Sequence, residues 1–256
     1  MIITVTMNPS IDKTAEIASI NLGGLNRLGN VIVDAGGKGI NVSKMIKALG
    51  LDSVATGFLG GGAGVEIENM LRLQNVKTDF IRIKQTTRTN LKVLSDNYGI
   101  TEFNEPGAEV TAGEMSVLRE KLLTYAAPGA IFVFSGSLPP GAGDDAYFKF
   151  ACDVKALGAS VFLDADGEAF SDALAAKPDF IKPNINELKQ HFGILADGVV
   201  VPCCLDGEGD IPLGNVFTGE LSEILSAPRA RAIVEGFRRR AAVEPLCQTC
   251  SYKNRF

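Results

Sequence analysis

Short apolar runs alternate along the chain with stretches in which apolar residues recur at helical spacing. In the clearest helical stretch Val42, Met45, Ile46 and Leu49 lie on one face, and Gly50 follows at the position of a helix C-cap. This alternation predicts an α/β fold, in which a mostly parallel sheet is flanked by helices and ligands bind at the carboxyl ends of its strands. The predicted strands are 2–7, 53–58, 80–83, 130–135, 160–164 and 180–182, and the other predicted helices are 65–74, 111–125, 143–157 and 184–192.

Two segments, about 12–35 and 88–104, break this alternation. In both, apolar and polar residues alternate without a helical period. We expect them to form hairpin strands outside the main sheet, as a small β-sheet lid on the α/β core.

Composition sets limits on the class of protein. The 256 residues are 46% hydrophobic and 21% charged, which predicts one main globular domain. A formal net charge of -5 disfavours nucleic acid and anionic membranes as partners. No apolar run has the length of a membrane span or a signal peptide, so we expect a cytoplasmic protein.

A glycine-rich turn offers the first candidate binding site. Gly36-Gly37-Lys38-Gly39 stands immediately before the helix that contains Asn41. Glycines let a ligand approach the backbone, the helix start offers free N–H groups, and the lysine adds positive charge, which together suit an anionic or hydroxyl-rich ligand. The alternative is a tight turn with a solvated lysine. The spacing does not fit a Walker loop.

Other polar residues fall at predicted strand ends. Asp12 follows the first strand and could accept hydrogen bonds from sugar hydroxyls, or simply belong to a turn. Arg88, Asn90 and Lys92 alternate along one predicted strand and would share a face able to hold a phosphate, or form the charged outer face of a hairpin. Ser137 adds a hydroxyl in a turn after another strand.

The segment from Lys182 to Glu187 joins a strand to a helix. Asn184 and Glu187 have the spacing of a capping box, which needs no function. An amide and a carboxylate at a strand end could equally organise Mg²⁺ near a nucleotide. Both interpretations remain open on the residues alone.

Together and in this order, the motifs resemble the ribokinase-like (PfkB) carbohydrate kinases, in the branch that contains 1-phosphofructokinases and tagatose-6-phosphate kinases. The likeness extends from about Met1 to Gly193. The motifs are Asn-Pro-x-x-Asp from Asn8, Gly-Gly-Lys-Gly-Ile-Asn-Val from Gly36, Thr-Arg-x-Asn-x-Lys from Thr87, Ser-Gly-Ser-Leu-Pro-Pro-Gly from Ser135 and Lys-Pro-Asn-x-x-Glu from Lys182.

The resemblance implies transfer of the ATP γ-phosphoryl group to a ketohexose phosphate, with fructose 1-phosphate as the first choice and tagatose 6-phosphate or fructose 6-phosphate as alternatives. It also implies Mg²⁺ and allows a homodimer through the lid. The implied phosphosugar ligands are Asp12, Gly37, Lys38, Asn41, Arg88, Asn90 and Ser137; Lys182 and Asn184 would face the nucleotide, and Glu187 would help to place the metal.

The family pattern stops at about residue 195, so we divide the chain into a core, 1–195, and a tail, 196–256. Family members continue with a Gly-Ala-Gly-Asp loop whose aspartate is the catalytic base. Here only Gly207-Glu208-Gly209-Asp210 is similar, and it begins just 23 positions after Asn184 (207 minus 184). We therefore leave the catalytic residue unidentified. A frameshifted or truncated kinase gene, or a foreign tail, would explain this segment, and a catalytically silent remnant that at most binds phosphosugar is the alternative function.

Four of the five cysteines lie in this tail: Cys203, Cys204, Cys247 and Cys250, with Cys152 alone before them. Structural zinc sites usually show two separated pairs of ligands, so this spacing argues against zinc. The tail also carries a stretch, 227–242, that we expect to form a basic amphipathic helix.

Overall fold

A computed structural model of the chain describes residues 1–182, 193–195, 197–202, 206, 208–239 and 241–249. The chain divides into two compact units, Met1–Lys182 and Pro183–Phe256. The predicted helix 184–192 and the candidate ligands Asn184 and Glu187 lie outside the described residues.

The strands of the first unit form two sheets. The first sheet has the strand order β11-β10-β9-β1-β4-β5, and β6 also pairs with β4. Every pairing in this sheet is parallel. The prediction of a parallel α/β core is thus confirmed. The strands are β1 (Ile2–Thr6), β2 (Ser10–Ile17), β3 (Gly29–Gly36), β4 (Ser53–Gly60), β5 (Lys77–Thr78), β6 (Ile81–Ile83), β7 (Arg88–Ser95), β8 (Gly99–Asn104), β9 (Ile131–Ser135), β10 (Ser160–Asp164) and β11 (Phe180–Ile181).

Helices cover both faces of the parallel sheet. Thr4 of β1 shares a buried hydrogen bond with Ser43 (2.8 Å), whereas the ring of Phe134 of β9 packs in a tilted arrangement against that of Tyr147, with ring centroids 5.7 Å apart. Val5 is the register partner of Phe134, and neighbouring residues of a strand point to opposite faces. Ser43 and Tyr147, and with them the two helices that contain these residues, therefore lie on opposite faces of the parallel sheet. The helices are α1 (Lys38–Ala48), α2 (Gly61–Leu73), α3 (Ala112–Tyr125), α4 (Ala146–Ala156) and α5 (Gly167–Leu174).

The predicted helices differ from the observed ones mainly at their starts. α3 begins after Thr111, whose side chain forms a capping box with Glu114. α4 begins three residues later than predicted (146 minus 143), because Gly143 adopts φ 76° in a turn. α5 was not predicted, since its eight residues carry only a short apolar pattern.

The second sheet has the order β3-β2-β7-β8 and is separate from the parallel sheet. β2 pairs with β3 and β7 with β8 in antiparallel fashion, and the two hairpins join through a parallel β2–β7 pairing. The predicted small sheet outside the core is therefore confirmed. Its register makes Ser10 the partner of Arg88 and Asp12 the partner of Asn90.

The described part of the second unit contains a three-stranded antiparallel sheet and three short helices. Val200, Val201, Ile211 and Ile233 are buried in it. Among the described residues, no helix combines the length and apolar character needed to cross a membrane. The elements are β12 (Gly193–Ile194), β13 (Val199–Val201), β14 (Gly214–Asn215), α6 (Leu221–Ser226), α7 (Pro228–Arg238) and α8 (Pro245–Thr249); α7 confirms the helix predicted within 227–242.

Candidate functional site

Asn8, the second residue after β1, connects three of the motifs. Its Nδ2 donates to the carbonyl oxygen of Pro106 (3.0 Å) and to Oγ of Ser137 (3.4 Å). Its own carbonyl oxygen accepts from Nη2 of Arg88 (3.0 Å). The sequence analysis quoted Asn8 only as part of a motif and assigned it no role, because its contacts are long-range.

Asp12 forms the centre of a polar cluster on the small sheet. Its Oδ1 accepts from Oγ of Ser10 (2.6 Å) and from Nδ2 of Asn90 (3.1 Å). Within the described part of the chain, its Oδ2 has no hydrogen-bond donor. A Cβ on Gly36 would lie only 2.2 Å from that oxygen, so a larger residue here would displace the Asp12 carboxylate. The cluster leaves one carboxylate oxygen available to a ligand hydroxyl.

The glycine-rich turn joins the end of β3 to the start of α1. Gly37 is the N-cap residue at φ 120°, and a Cβ there would lie 2.6 Å from Cγ2 of Thr6. No side chain caps α1, and N–H groups at a helix start can donate to a ligand oxygen. Asn41 lies exposed in that turn, and its backbone N–H donates to the carbonyl oxygen of Gly37 (3.0 Å).

Arg88 presents a positive charge that backbone carbonyls hold in place. Nη1 donates to the carbonyl oxygen of Glu105 (2.9 Å) and Nη2 to that of Asn8. Among the described residues, no carboxylate oxygen lies within ion-pair distance of its guanidinium. Burial lowers the pKa of Arg88, and the charges of Asp12, Glu105 and Asp166 partly offset that effect. The guanidinium stays protonated at neutral pH.

Two of the predicted ligands carry buried atoms that lack protein partners. Nε of Arg88 and Oδ1 of Asn90 are buried without a hydrogen bond in the described structure. Buried polar groups are normally satisfied, so each such atom needs an explanation. A bound phosphosugar would supply a phosphate oxygen as acceptor for Nε of Arg88 and a hydroxyl as donor for Oδ1 of Asn90.

A cavity of about 180 Å³ lies beside this cluster. The strand register places Lys92 on the same face as Arg88 and Asn90, as predicted. However, Nζ of Lys92 lies 3.0 Å from Oε1 of Glu102, which offsets its charge. Asp12, Lys13, Thr14, Asn90, Lys92, Glu102 and Asn104 line the cavity.

Asp164, the last residue of β10, connects two predicted ligands. Its Oδ1 lies 3.2 Å from Nζ of Lys38, and its Oδ2 lies 3.0 Å from Nζ of Lys182. The sequence analysis assigned Asp164 no role, although a carboxylate at the carboxyl end of a predicted strand was a usable signal. Asp166, two residues on, was missed in the same way.

The nucleotide side of the site is only partly described. Lys182 fits a phosphate group, since it is a cation at the carboxyl end of a parallel strand. Within the described residues, no group of three or more His, Cys, Asp or Glu side chains is arranged to hold a metal ion. The candidate metal ligand Glu187 lies outside them.

Asp210, the weak candidate for a catalytic base, lies in the second unit. It is exposed in a turn whose backbone is held by the buried Asp206, which accepts from the N–H groups of Asp210 (2.8 Å) and Ile211 (2.9 Å). These contacts give the turn at Asp210 a structural explanation.

Two protein-family models match this chain, one over most of its length and one near its end. The model of the pfkB family carbohydrate kinases matches residues 5–201. The model of the SPASM iron–sulfur cluster-binding domain matches residues 186–251, which include the four clustered cysteines.

The relatives support the first match. The chain is 38% identical over 193 residues to a 1-phosphofructokinase of Bacillus subtilis, and 36% identical over 192 residues to a tagatose-6-phosphate kinase of Staphylococcus epidermidis. These alignments cover 75% and 74% of this chain but only 63% and 62% of the relatives. Escherichia coli phosphofructokinase-2 in complex with fructose-6-phosphate superposes with a TM-score of 0.69 at 34% identity, over 73% of this chain and 62% of that one. This chain therefore belongs to the pfkB family of carbohydrate kinases.

Proposed function

We propose that this chain serves the ATP-dependent phosphorylation of a ketohexose phosphate, with fructose 1-phosphate converted to fructose 1,6-bisphosphate as the first choice. The observation that carries this proposal is Arg88, a partly buried guanidinium with no carboxylate partner among the described residues, next to the Asp12–Asn90 pair. The names of the relatives, 1-phosphofructokinase and tagatose-6-phosphate kinase, support the substrate class. Tagatose 6-phosphate and fructose 6-phosphate remain the alternative substrates.

Each group has a defined part in substrate binding. Arg88 would hold the phosphate already on the sugar, because a guanidinium matches phosphate oxygens in charge and geometry. Asp12 would accept a sugar hydroxyl through its available oxygen, and Asn90 would use its unpartnered Oδ1 in the same way. The remaining contacts would come from the start of α1, with Gly37, Lys38 and Asn41, and from Ser137.

Phosphoryl transfer requires more than this binding set. A bond forms between the γ-phosphorus and the sugar hydroxyl oxygen, the bond to ADP breaks, and the hydroxyl proton passes to a base. Lys182 and Asn184 would face the nucleotide, and Glu187 would help to place Mg²⁺, which would neutralise phosphate charge when bound. We assign no residue of this chain to the base.

A second function, phosphosugar binding without turnover, is favoured by a separate observation. The chain spans only 63% and 62% of the length of the relatives named above, and its residues after 201 match a different domain. The two functions share the binding site and differ only in phosphoryl transfer.

Release of ADP with fructose 1-phosphate and Mg·ATP distinguishes them. Sustained turnover by the wild-type chain that Arg88→Ala abolishes would establish the kinase. Saturable binding of fructose 1-phosphate without ADP release would establish the binding protein instead. Asp210→Asn provides a further comparison: if it abolished turnover without affecting binding, Asp210 would be the base.

We further propose that the tail binds an iron–sulfur cluster through Cys203, Cys204, Cys247 and Cys250. Four thiolates are the usual ligand set of such a cluster, and the family match covers all four residues. Cys247 lies on α8 and is partly exposed, while the other three lie outside the described residues. A bound cluster would supply one-electron redox chemistry. The match favours a genuine domain over a frameshift.

We also propose a homodimer through the small sheet. Ile32 on β3 and Ile100 on β8 are 66% and 64% exposed, so the outer part of this sheet presents apolar side chains to solvent. Apolar patches of this kind mark interaction surfaces. The related phosphofructokinase-2 of Escherichia coli is described as a tetramer in its inhibited form.

A further inference from the structure

The side-chain amide of Asn8 joins three segments that are far apart in the sequence. Asn8 follows β1 and is 6% exposed. Its Nδ2 donates to the carbonyl oxygen of Pro106 (3.0 Å), just after β8, and makes longer contacts just after β9, with Oγ of Ser137 (3.4 Å) and the carbonyl oxygen of Leu138 (3.5 Å). The contact with Pro106 has the best geometry of the three, because N–H···O hydrogen bonds weaken beyond about 3.2 Å. One buried amide therefore holds the chain after β8 at the carboxyl edge of the parallel sheet.

The segment after β8 also holds Arg88. The carbonyl oxygen of Glu105 accepts from Nη1 of Arg88 (2.9 Å), and Oε2 of Glu105 accepts from the backbone N–H of Thr89 (2.8 Å). On the other side, the carbonyl oxygen of Asn8 accepts from Nη2 of Arg88 (3.0 Å). The guanidinium thus bridges two stretches of main chain, and the Asn8 side chain ties these stretches together at Pro106.

Close packing surrounds the Asn8 amide. Gly107 adopts φ 107°, and a Cβ at this position would lie 2.1 Å from Oδ1 of Asn8. The main chain after β8 therefore packs directly against the amide. A few residues on, Val110 is 3% exposed and its N–H donates to the carbonyl oxygen of Pro140 (2.9 Å), so the chain has entered the core. Asn8 thus holds the stretch that leads from the small sheet back into the core.

The two carbonyl contacts fix the plane of the Arg88 guanidinium. A guanidinium is rigid and planar, so acceptors on Nη1 and Nη2 also determine the direction of its Nε–H. Nε of Arg88 is buried and has no hydrogen-bond partner among the described residues. A group that is already oriented loses less conformational freedom when a ligand binds. The direction of this N–H therefore depends on where the carbonyl group of Glu105 lies.

We propose that Asn8 is a positioning residue, which orients Arg88 for a phosphate group by holding the segment from Glu105 to Gly107 in place. This inference rests on the proposed function for the identity of the ligand, fructose 1-phosphate. The orientation of the guanidinium is a property of the chain without ligand and can be tested by itself.

Two variants of Asn8 separate position from charge. Leucine and aspartate both resemble asparagine in size, and neither leucine nor an ionised aspartate can donate to Pro106, but only aspartate adds a negative charge. If Asn8 positions Arg88, both variants weaken the binding of fructose 1-phosphate. If only charge near the phosphate matters, Asn8→Asp weakens binding and Asn8→Leu does not. If Asn8 serves stability alone, the melting temperature falls and the affinity of the folded protein is unchanged.

Gly107→Ala disturbs the same contact from the opposite side. Its Cβ would displace the Asn8 amide without removing the donor. Asn69 provides the matched control, since it is exposed on α2 and its Oδ1 accepts from Nη2 of Arg72 (3.0 Å). Asn69→Leu and Asn69→Asp therefore repeat both substitutions beside an arginine outside the site.

The experiment measures fructose 1-phosphate affinity by calorimetry and records the Nε–H resonance of Arg88 in the full chain without ligand. We expect about tenfold weaker binding for Asn8→Leu and for Gly107→Ala, a larger loss for Asn8→Asp, and no change for the Asn69 variants. The Arg88 resonance should shift in all three site variants, while that of Arg119, which pairs with Asp153, stays unchanged.

Wild-type affinity of folded Asn8→Leu, or an Arg88 resonance that does not respond in it, would overturn the proposal. If Asn8→Leu does not fold, the same two measurements on Gly107→Ala decide the matter. Failure of the wild-type chain to bind fructose 1-phosphate would instead count against the proposed function. In that case the ligand-free resonance still decides whether Asn8 orients Arg88.

Discussion

Asn90 donates a hydrogen bond from Nδ2 to Oδ1 of Asp12 across 3.1 Å, and the two residues are register partners on β7 and β2. Two motifs that are 78 residues apart in the sequence (90 minus 12) thus form one polar pair. Oδ1 of Asn90 is buried without a protein partner, so the pair has a vacant acceptor where a sugar hydroxyl would bind. We therefore propose that the small sheet contributes substrate-binding groups.

Gly36→Ala should remove phosphosugar binding. The new Cβ would lie 2.2 Å from Oδ2 and 2.3 Å from Cγ of Asp12, so the carboxylate has to move away from its position. We expect affinity for fructose 1-phosphate to fall by about tenfold or more, as measured by calorimetry.

Gly62→Ala is the control for this change. Gly62 lies in α2, and a Cβ there meets no atom within 4 Å. Alanine should leave affinity unchanged and stabilise the helix by up to about 1 kcal/mol. Equal affinity of both variants would contradict the assigned role of Gly36.

Tyr125→Phe should reduce stability in a pH-dependent way. Oη of Tyr125 donates to Oδ2 of Asp79 (2.7 Å), and Nζ of Lys121 donates to Oδ1 of the same carboxylate. Burial raises the pKa of Tyr125 to about 12, and the Asp79 carboxylate adds to the effect. Burial also tends to raise the pKa of Asp79, but hydrogen bonds from Lys121 and Tyr125 outweigh it and hold that pKa below 3.8.

The raised pKa of Tyr125 means that its contribution is complete below pH 10 and is lost as the pH rises towards 12. The lowered pKa of Asp79 means that its contribution is complete above pH 3.8 and is lost at lower pH. At neutral pH we expect the melting temperature of Tyr125→Phe to be about 2–4 °C lower. Calorimetric melts should show a smaller difference in melting temperature between Tyr125→Phe and the wild type at low pH and towards pH 12. The exposed Tyr98→Phe should melt like the wild type at every pH.

Cys247→Ser should reduce iron binding by the tail. After anaerobic reconstitution with iron and sulfide, we expect the wild-type chain to retain iron and to absorb visible light, since thiolates hold such clusters. A serine hydroxyl is a poor replacement for a thiolate. Cys152→Ser, on α4 of the first unit, should retain the wild-type iron content. Equal iron content in the two variants would contradict the assigned role of Cys247.

Ile100→Lys should dissociate the proposed homodimer. Ile100 lies on β8 and is 64% exposed, whereas Leu73, at the end of α2, is 81% exposed but lies outside the small sheet. In sedimentation experiments we expect a dimer for the wild type and for Leu73→Lys, and a monomer for Ile100→Lys. A wild-type chain that sediments as a monomer at all concentrations would rule out this dimer.

The sequence predicted the parts of the fold in which one face of an element is consistently apolar. The parallel strands and the separate small sheet were identified because their patterns follow simple periods, as for Ile3 and Val5 in β1. The start of α4 was placed too early, because the turn at Gly143 is decided by backbone conformation rather than by pattern.

The candidate site was predicted where a motif is contiguous and missed where it depends on distant contacts. Asp12, Arg88 and Asn90 were identified within short motifs, and the structure brings them together through strand register. Asn8 was missed because its partners lie on other elements and no local pattern indicates them. Asp164 was missed although it ends a predicted strand, because its lysine partners are distant in the sequence.

The most direct test of the account is the affinity for fructose 1-phosphate of Arg88→Ala compared with Arg82→Ala. Arg82 lies on β6, is exposed and pairs with Glu68, so its loss removes a surface cation of the same type. A guanidinium that binds phosphate contributes about 1.5–3 kcal/mol, so calorimetry should show binding about 10- to 100-fold weaker for Arg88→Ala and unchanged for Arg82→Ala. Equal affinities of the two variants would contradict a phosphosugar site at Arg88.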